Sequence, residues 1–221
     1  AQRAHNYAVQ PMSKAAFVKM ATSELPEAPA YFSYDARQNR MMHMTLEMSL
    51  QRVLKPLTLD QVLDEQAAHA VVLDVRDPAE FEPEHLVGSM NIGLGGRFAS
   101  WVGSLLDPRL PIVLIAPPGK EGEAAMRLGR VGFDEVAGYL EGGFDPVRAR
   151  PELVRKIERL SPAVLLERLA SSEPPLVVDV RPPQEYAEGH IPGAVNLPHE
   201  QVASRASELS GKGDVAMYCL K

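Results

Sequence analysis

The chain has 221 residues, a formal net charge of −6, and 45% hydrophobic against 24% charged residues, the balance of a folded globular protein. The acidic sum argues against an electrostatic nucleic-acid binder, and no apolar run approaches the roughly 20 residues of a membrane helix. A lone cysteine excludes any disulfide within the chain, so an oxidising compartment would add nothing to the fold and a cytoplasmic location is expected.

Along the chain, the first ten residues, AQRAHNYAVQ, hold neither an initiator methionine nor the pattern of a signal peptide. Ser13 is placed to cap a helix through MSKAAFVKM, and a Pro-rich, aromatic extended stretch surrounds Pro26–Phe32. MMHMTLEMSL then supplies four of the nine methionines, a cluster that reads as adaptable core packing rather than a metal site. From Thr58, TLDQVLDEQAA predicts a capped amphipathic helix, and the apolar run ending in Asp74-Val75-Arg76 predicts a buried parallel strand. A Pro-containing turn and a short Glu-aromatic helix follow, then a short strand over Met90–Ile92. GLGGRFASWVG lacks the Gly-Lys-Ser ending of a nucleotide loop and reads as a glycine-rich loop entering a helix. Ile112–Ile115 predicts a central strand, EGEAAMRLGRVG a helix, EVAGYL a strand and EGGF a turn. DPVRARPELVRKIERL, charged and helix-prone, predicts a linker helix.

The second half repeats the first. VVLDVRDPAEFEPEHLVGSMNIG at 71–93 aligns without a gap on LVVDVRPPQEYAEGHIPGAVNLP at 176–198, at a constant offset of 105 residues. Nine positions correspond, among them Asp74/Asp179, Arg76/Arg181, Phe81/Tyr186, His85/His190 and Asn91/Asn196. Ser161 opens the matching helix, SPAVLLERLAS, while Ala194–Leu197 and Val215–Tyr218 supply the matching strands. Alternating strands and helices imply an α/β fold, each repeat a mostly parallel sheet flanked by helices.

Chemistry concentrates where the copies differ. Cys219 ends the strand Val215–Tyr218, and ligand sites of open α/β sheets lie at the carboxyl ends of strands. A thiolate is the species that attacks sulfane sulfur, and its pKa falls among backbone N–H groups at a helix N-terminus. The alternative for a lone cysteine is an inert apolar residue. In the first copy Pro111–Ile115 runs into Ala116-Pro117-Pro118-Gly119-Lys120-Glu121, so Ala116 stands at the cysteine position. Asp74, Arg76, Asp179 and Arg181 sit at strand ends and read as structural ion pairs rather than acid/base groups. His85 and His190 read as braces of the turn after the short helix. The six histidines lie far apart and form no HxHxDH or HExxH pattern, so no metal site is expected in this chain.

Asp-Val-Arg, the Glu-aromatic pair, Gly189-His190-Ile191-Pro192-Gly193-Ala194 and the strand ending in Cys219 together resemble the rhodanese family, over 57–145 and 160–221. The resemblance implies sulfurtransfer through a cysteine persulfide held in a C-x-x-G-x-R loop. Leu220 and Lys221 fill its two variable positions and the sequence stops there. On that ground the second module is expected to be truncated, and the chain alone to show no significant thiosulfate:cyanide turnover. With Ala116 for cysteine and Glu121 where the family has arginine, the first module resembles inactive copies that act as spacers or docking surfaces. A second resemblance covers NYAVQPMSKAAFVKM, LPEAPAYFSYDARQNR and the glycine-rich stretch. It is similar to the region downstream of a metallo-β-lactamase fold in bacterial fusions of a persulfide-dioxygenase-like domain with two rhodanese modules. That implies an iron site upstream, or zinc if the domain is a thioesterase-like hydrolase.

The expected organisation is therefore a fragment in three parts: a metallo-β-lactamase-like tail at 1–50, an inactive rhodanese-like domain at 57–147 and a truncated one at 160–221. Cys219 would be catalytic, with Asp179, Arg181 and His190 supporting it, and Ala116, Asp74, Arg76 and His85 would form the degenerate counterpart. The expected partners are a small sulfane sulfur donor and a thiol acceptor, with no nucleic acid and no membrane. Methionines and aromatics in residues 1–50 could pair copies into a homo-oligomer. The rival reading is a non-enzymatic adaptor in which Cys219 is incidental or redox-sensing.

Overall fold

The computed structural model describes residues 11–22 and 54–219, and the chain divides into two compact units, Ala1–His43 and Met44–Lys221. In the first, helix α1 (Lys14–Thr22) begins where Ser13 Oγ accepts the Ala16 N–H at 3.1 Å. The stretch around Pro26–Phe32 and the methionine cluster at 41–50 lie outside the described residues.

The second unit holds both repeats. In the first repeat, Thr58 and Gln61 form a reciprocal capping box at the start of α2 (Leu59–Ala67), which satisfies two amide donors the helix itself cannot. Strand β1 (Pro56–Leu57) precedes it and β2 (Val71–Asp74) follows. Then come α3 (Pro78–Phe81), β3 (His85–Leu86), β4 (Met90–Asn91), α4 (Phe98–Leu105), β5 (Ile112–Ile115), α5 (Glu121–Gly129) and β6 (Val136–Leu140). Five of the strands form one parallel sheet in the order β1-β6-β5-β2-β4. Because strand side chains alternate, β2 and β5 feed two cores. Leu73, Ile112 and Leu114 face Phe98, Val102, Leu128 and Phe133 on one side. Val72, Val113 and Ile115 face Val62, Leu140, Phe144 and Val147 on the other. At Gly138 a Cβ would lie 2.5 Å from the Lys55 carbonyl oxygen, so only glycine lets β1 approach β6.

The predicted linker helix over 145–160 does not form. Helix α6 (Asp145–Arg148) and a 3₁₀ turn (Pro151–Leu153) give way to β7 (Val154–Arg155), which pairs antiparallel with β3. Pro151 has no N–H to continue a helix and its ring would clash with the preceding turn. Leu153 and Val154 instead pack against the Leu86 and Val147 core. The Ile157 N–H donates to the Glu82 carbonyl at 2.7 Å, and Arg148–Glu84, Arg150–Asp60 and Arg159–Glu82 ion pairs hold the strap to the first repeat.

The second repeat runs α7 (Pro162–Leu169), β8 (Leu176–Asp179), α8 (Pro183–Glu188), β9 (Val195–Asn196), α9 (His199–Arg205), a 3₁₀ turn (Ala206–Leu209) and β10 (Val215–Tyr218). Ser161 Oγ caps α7 through the Val164 N–H. Its described strands form a parallel sheet in the order β10-β8-β9. The two repeats meet through equivalent helices: α4 packs against α9, and the rings of Trp101 and His199 meet edge-on with centroids 5.5 Å apart. The β5 residues are all buried, whereas Met217 on β10 is 52% exposed. Leu114→Ala should therefore cost about 2–5 kcal/mol in urea unfolding, and Met217→Ala should leave the transition unmoved.

Candidate active site

Each Asp-Val-Arg sequence ends its strand by folding the arginine back onto the aspartate. The Arg76 Nε and Nη2 donate to Asp74 at 3.0 and 2.7 Å, its backbone N–H donates to Oδ1 at 3.0 Å, and Nη2 also reaches the Glu84 carbonyl at 2.9 Å. Arg181 repeats the pattern on Asp179 at 2.9 and 2.6 Å and on the Gly189 carbonyl at 2.7 Å. All four side chains are buried. Asn91 then donates to the carbonyls of Asp74 and Arg76, and Asn196 to those of Asp179 and Arg181, so β4 and β9 are tied to the same turn. These bidentate pairs fix the carboxyl end of each sheet. The Arg181 guanidinium, aided by the Tyr218 hydroxyl, holds the Asp179 carboxyl far below the usual carboxylate range.

The histidines span the short helices. His85 Nδ1 lies 3.0 Å from the Phe81 carbonyl with the two rings stacked at 4.1 Å, and His190 Nδ1 lies 2.9 Å from the Tyr186 carbonyl with rings stacked at 3.7 Å. His85 is buried and His190 exposed.

Strand register places Ala116 and Cys219 at equivalent positions. Asp74 pairs with Ile115 and Asp179 with Tyr218, so Ala116 and Cys219 each stand one residue beyond the partner of the buried aspartate. The repeat offset, 105 at the aspartates, is 103 at these strands because the intervening segment is two residues shorter in the second copy. Cys219 is exposed and Ala116 is buried. After Ala116 come Pro117 and Pro118, which carry no N–H, and the Lys120 N–H is used on the Pro117 carbonyl. That loop therefore has three fewer free amide donors to offer a sulfur anion.

Sequence reasoning missed Tyr218. Its hydroxyl accepts the Ile191 N–H at 3.1 Å and bonds the Asp179 carboxylate, and Arg181 lies 5.5 Å from its ring centre. Burial, together with that carboxylate, pushes the phenol upward. One side chain thus ties the end of β10, the buried pair and the Gly189–Ala194 loop together beside Cys219. In the first copy the corresponding residue is Ile115, packed in the core, and Arg76 rests instead on Phe144 at 3.9 Å. Arg76 Nη1, buried without a hydrogen-bond acceptor, is partly compensated by that aromatic face. The signal was present in the aligned ends, Ile-Ala against Tyr-Cys.

The rhodanese-like domain profile matches residues 57–150 and 161–221. The chain belongs to the rhodanese-like domain family. It is 47% identical over 62 residues to the HTH-type transcriptional regulator Rv0324 of Mycobacterium tuberculosis, a match covering 28% of this chain and 27% of that protein. It is 46% identical over 55 residues to a sulfurtransferase of Allochromatium vinosum, covering 25% of this chain and 51% of the relative. The matches therefore span about a quarter and a half of those relatives. Among solved structures, a metallo-β-lactamase from Staphylococcus aureus matches with a TM-score of 0.50 and 22% identity over 63% of this chain and 38% of that one, a likeness of fold. Residues 1–50 are less than a quarter of the chain, so most of that likeness lies in the modules. Among the described residues, no three His, Cys, Asp or Glu side chains converge as a metal-ligand set, and no helix is long and apolar enough to cross a membrane.

A carboxylate whose folded pKa is depressed contributes stability that is present above its unfolded pKa and lost as pH falls through the folded one. The stability gap between wild type and Asp179→Asn should thus be full at neutral pH and narrow below about pH 4, measured by urea unfolding across pH. Tyr218→Phe should speed amide exchange at Ile191 by roughly 2–10-fold, the loss of one hydrogen bond, without unfolding the first repeat.

Proposed function

We propose that the second module carries sulfur as a persulfide on Cys219 and serves sulfur transfer. The observation that supports this most is the position of Cys219: exposed, at the carboxyl end of a parallel strand, one residue past the partner of Asp179. With thiosulfate as donor, the Cys219 thiolate attacks the outer sulfur, the new S–S bond forms as the donor S–S bond breaks, and sulfite leaves with the electron pair. A thiol acceptor then takes the outer sulfur and the Cys219 thiolate departs. Asp179, Arg181, His190 and Tyr218 hold the surrounding turns and take no part in bond exchange. The sulfurtransferase name of the Allochromatium relative agrees with this chemistry.

The first module, with Ala116 in place of the thiol, is read as non-catalytic, a spacer or docking surface. The wider reading is a cytoplasmic fusion with a metallo-β-lactamase-fold domain holding iron or zinc, and it rests on the resemblance of residues 1–50. The described residues offer no ligand set for such an ion, which would sit elsewhere.

Treatment with thiosulfate of the chain extended through a complete C-x-x-G-x-R loop, followed by mass spectrometry, tests the persulfide. An adduct of about 32 Da, one sulfur atom, is expected on the Cys219 peptide, reversed by thiol and absent in Cys219→Ser. A Cys219 peptide that stays unmodified would favour the adaptor reading instead.

A further inference from the structure

The cleft beside Ala116 in the first module has features that sulfur transfer leaves unused. Its volume of about 710 Å³ falls within the roughly 300–1,000 Å³ typical of small-molecule sites. It opens at the carboxyl ends of β2, β4 and β5, where Val75, Asn91 and Pro117 line it. Ile92, Leu105 and the 40% exposed ring of Trp101 give it an apolar wall.

Arg97 and Lys120 supply two cations to the same cleft, Lys120 while also paired with Glu123 at 2.9 Å. They occupy the N-cap positions of α4 and α5, and neither helix has a side-chain cap. A cation at a helix start opposes the macrodipole, and an anion placed there offsets both. Two carboxylates also line the cleft, but Asp77 is engaged in capping the Ala79 N–H at 2.9 Å, and Glu80 lies in the first turn of α3. A Cβ added at Gly95 or Gly96 would meet nothing within 4 Å, so a ligand can approach the backbone there. Ala116 provides no nucleophile, so whatever binds is held without reacting.

We propose that this cleft is a noncovalent site for a small organic carboxylate with an apolar body, its charge taken by Arg97 and Lys120 and its body by Trp101. The site stands independently of the sulfur-transfer reading. Trp101 is the chain's single tryptophan, so emission comes from this wall and from its edge-on contact with His199, which is common to all the variants compared. The test is a fluorescence titration of the full chain carrying Cys219→Ser, which removes persulfide chemistry, with phenylacetate as probe and neutral 2-phenylethanol as control. Phenylacetate should give a saturable change in emission. Arg97→Ala or Lys120→Ala should weaken it about tenfold, the loss of one charge-assisted contact, and Arg109→Ala, at the amino end of β5, should not alter it. Glu123 keeps its Arg127 partner when Lys120 is removed, so that variant remains folded. The proposal is overturned by no saturable change, by an equal response to 2-phenylethanol, or by affinity indifferent to both cation removals.

Discussion

The buried Asp–Arg pair at the end of β2, and its equivalent at the end of β8, is the interaction on which both modules depend. Neither charge can be left alone inside the protein, since an uncompensated buried ion costs several kcal/mol. Once paired, the arginine still has donors to place, and it places them on the Glu84 or Gly189 carbonyl at the far side of the short helix. The asparagine of the neighbouring strand closes the turn from below. Strand end, helix and loop are therefore set by one ion pair, and the residue after the adjacent central strand inherits its position from that frame.

The two copies then diverge by what surrounds an unchanged frame. In the first, aliphatic Ile115 and aromatic Phe144 seal the pair beneath a full five-stranded sheet. In the second, Tyr218 substitutes a polar brace for that packing, and the cysteine that follows stays open to solvent.

Features that act locally were legible in the sequence. Thr58 and Ser161 announce their helices because a side-chain oxygen three residues from an amide has only local geometry to satisfy. The strands Ile112–Ile115 and Val215–Tyr218 were readable as short apolar runs. The strap over 145–160 was not, because its helical composition is overruled by Pro151 and by a distant strand, His85–Leu86, that needs a pairing partner. Tyr218 escaped for a related reason. Its role is visible only once register places it opposite Asp179, a relation that spans 39 residues of chain.

The proline pair after Ala116 bears on what a thiol at that position could do. A cysteine placed at position 116 would enter a loop in which Pro117 and Pro118 supply no amide donor, and so would lack part of the backbone help that lowers a thiol's pKa. Replacing both prolines as well would restore those two donors. Positions 116, 117 and 118 therefore act as one unit, and a change of side chain at 116 alone leaves the backbone of that loop as it is.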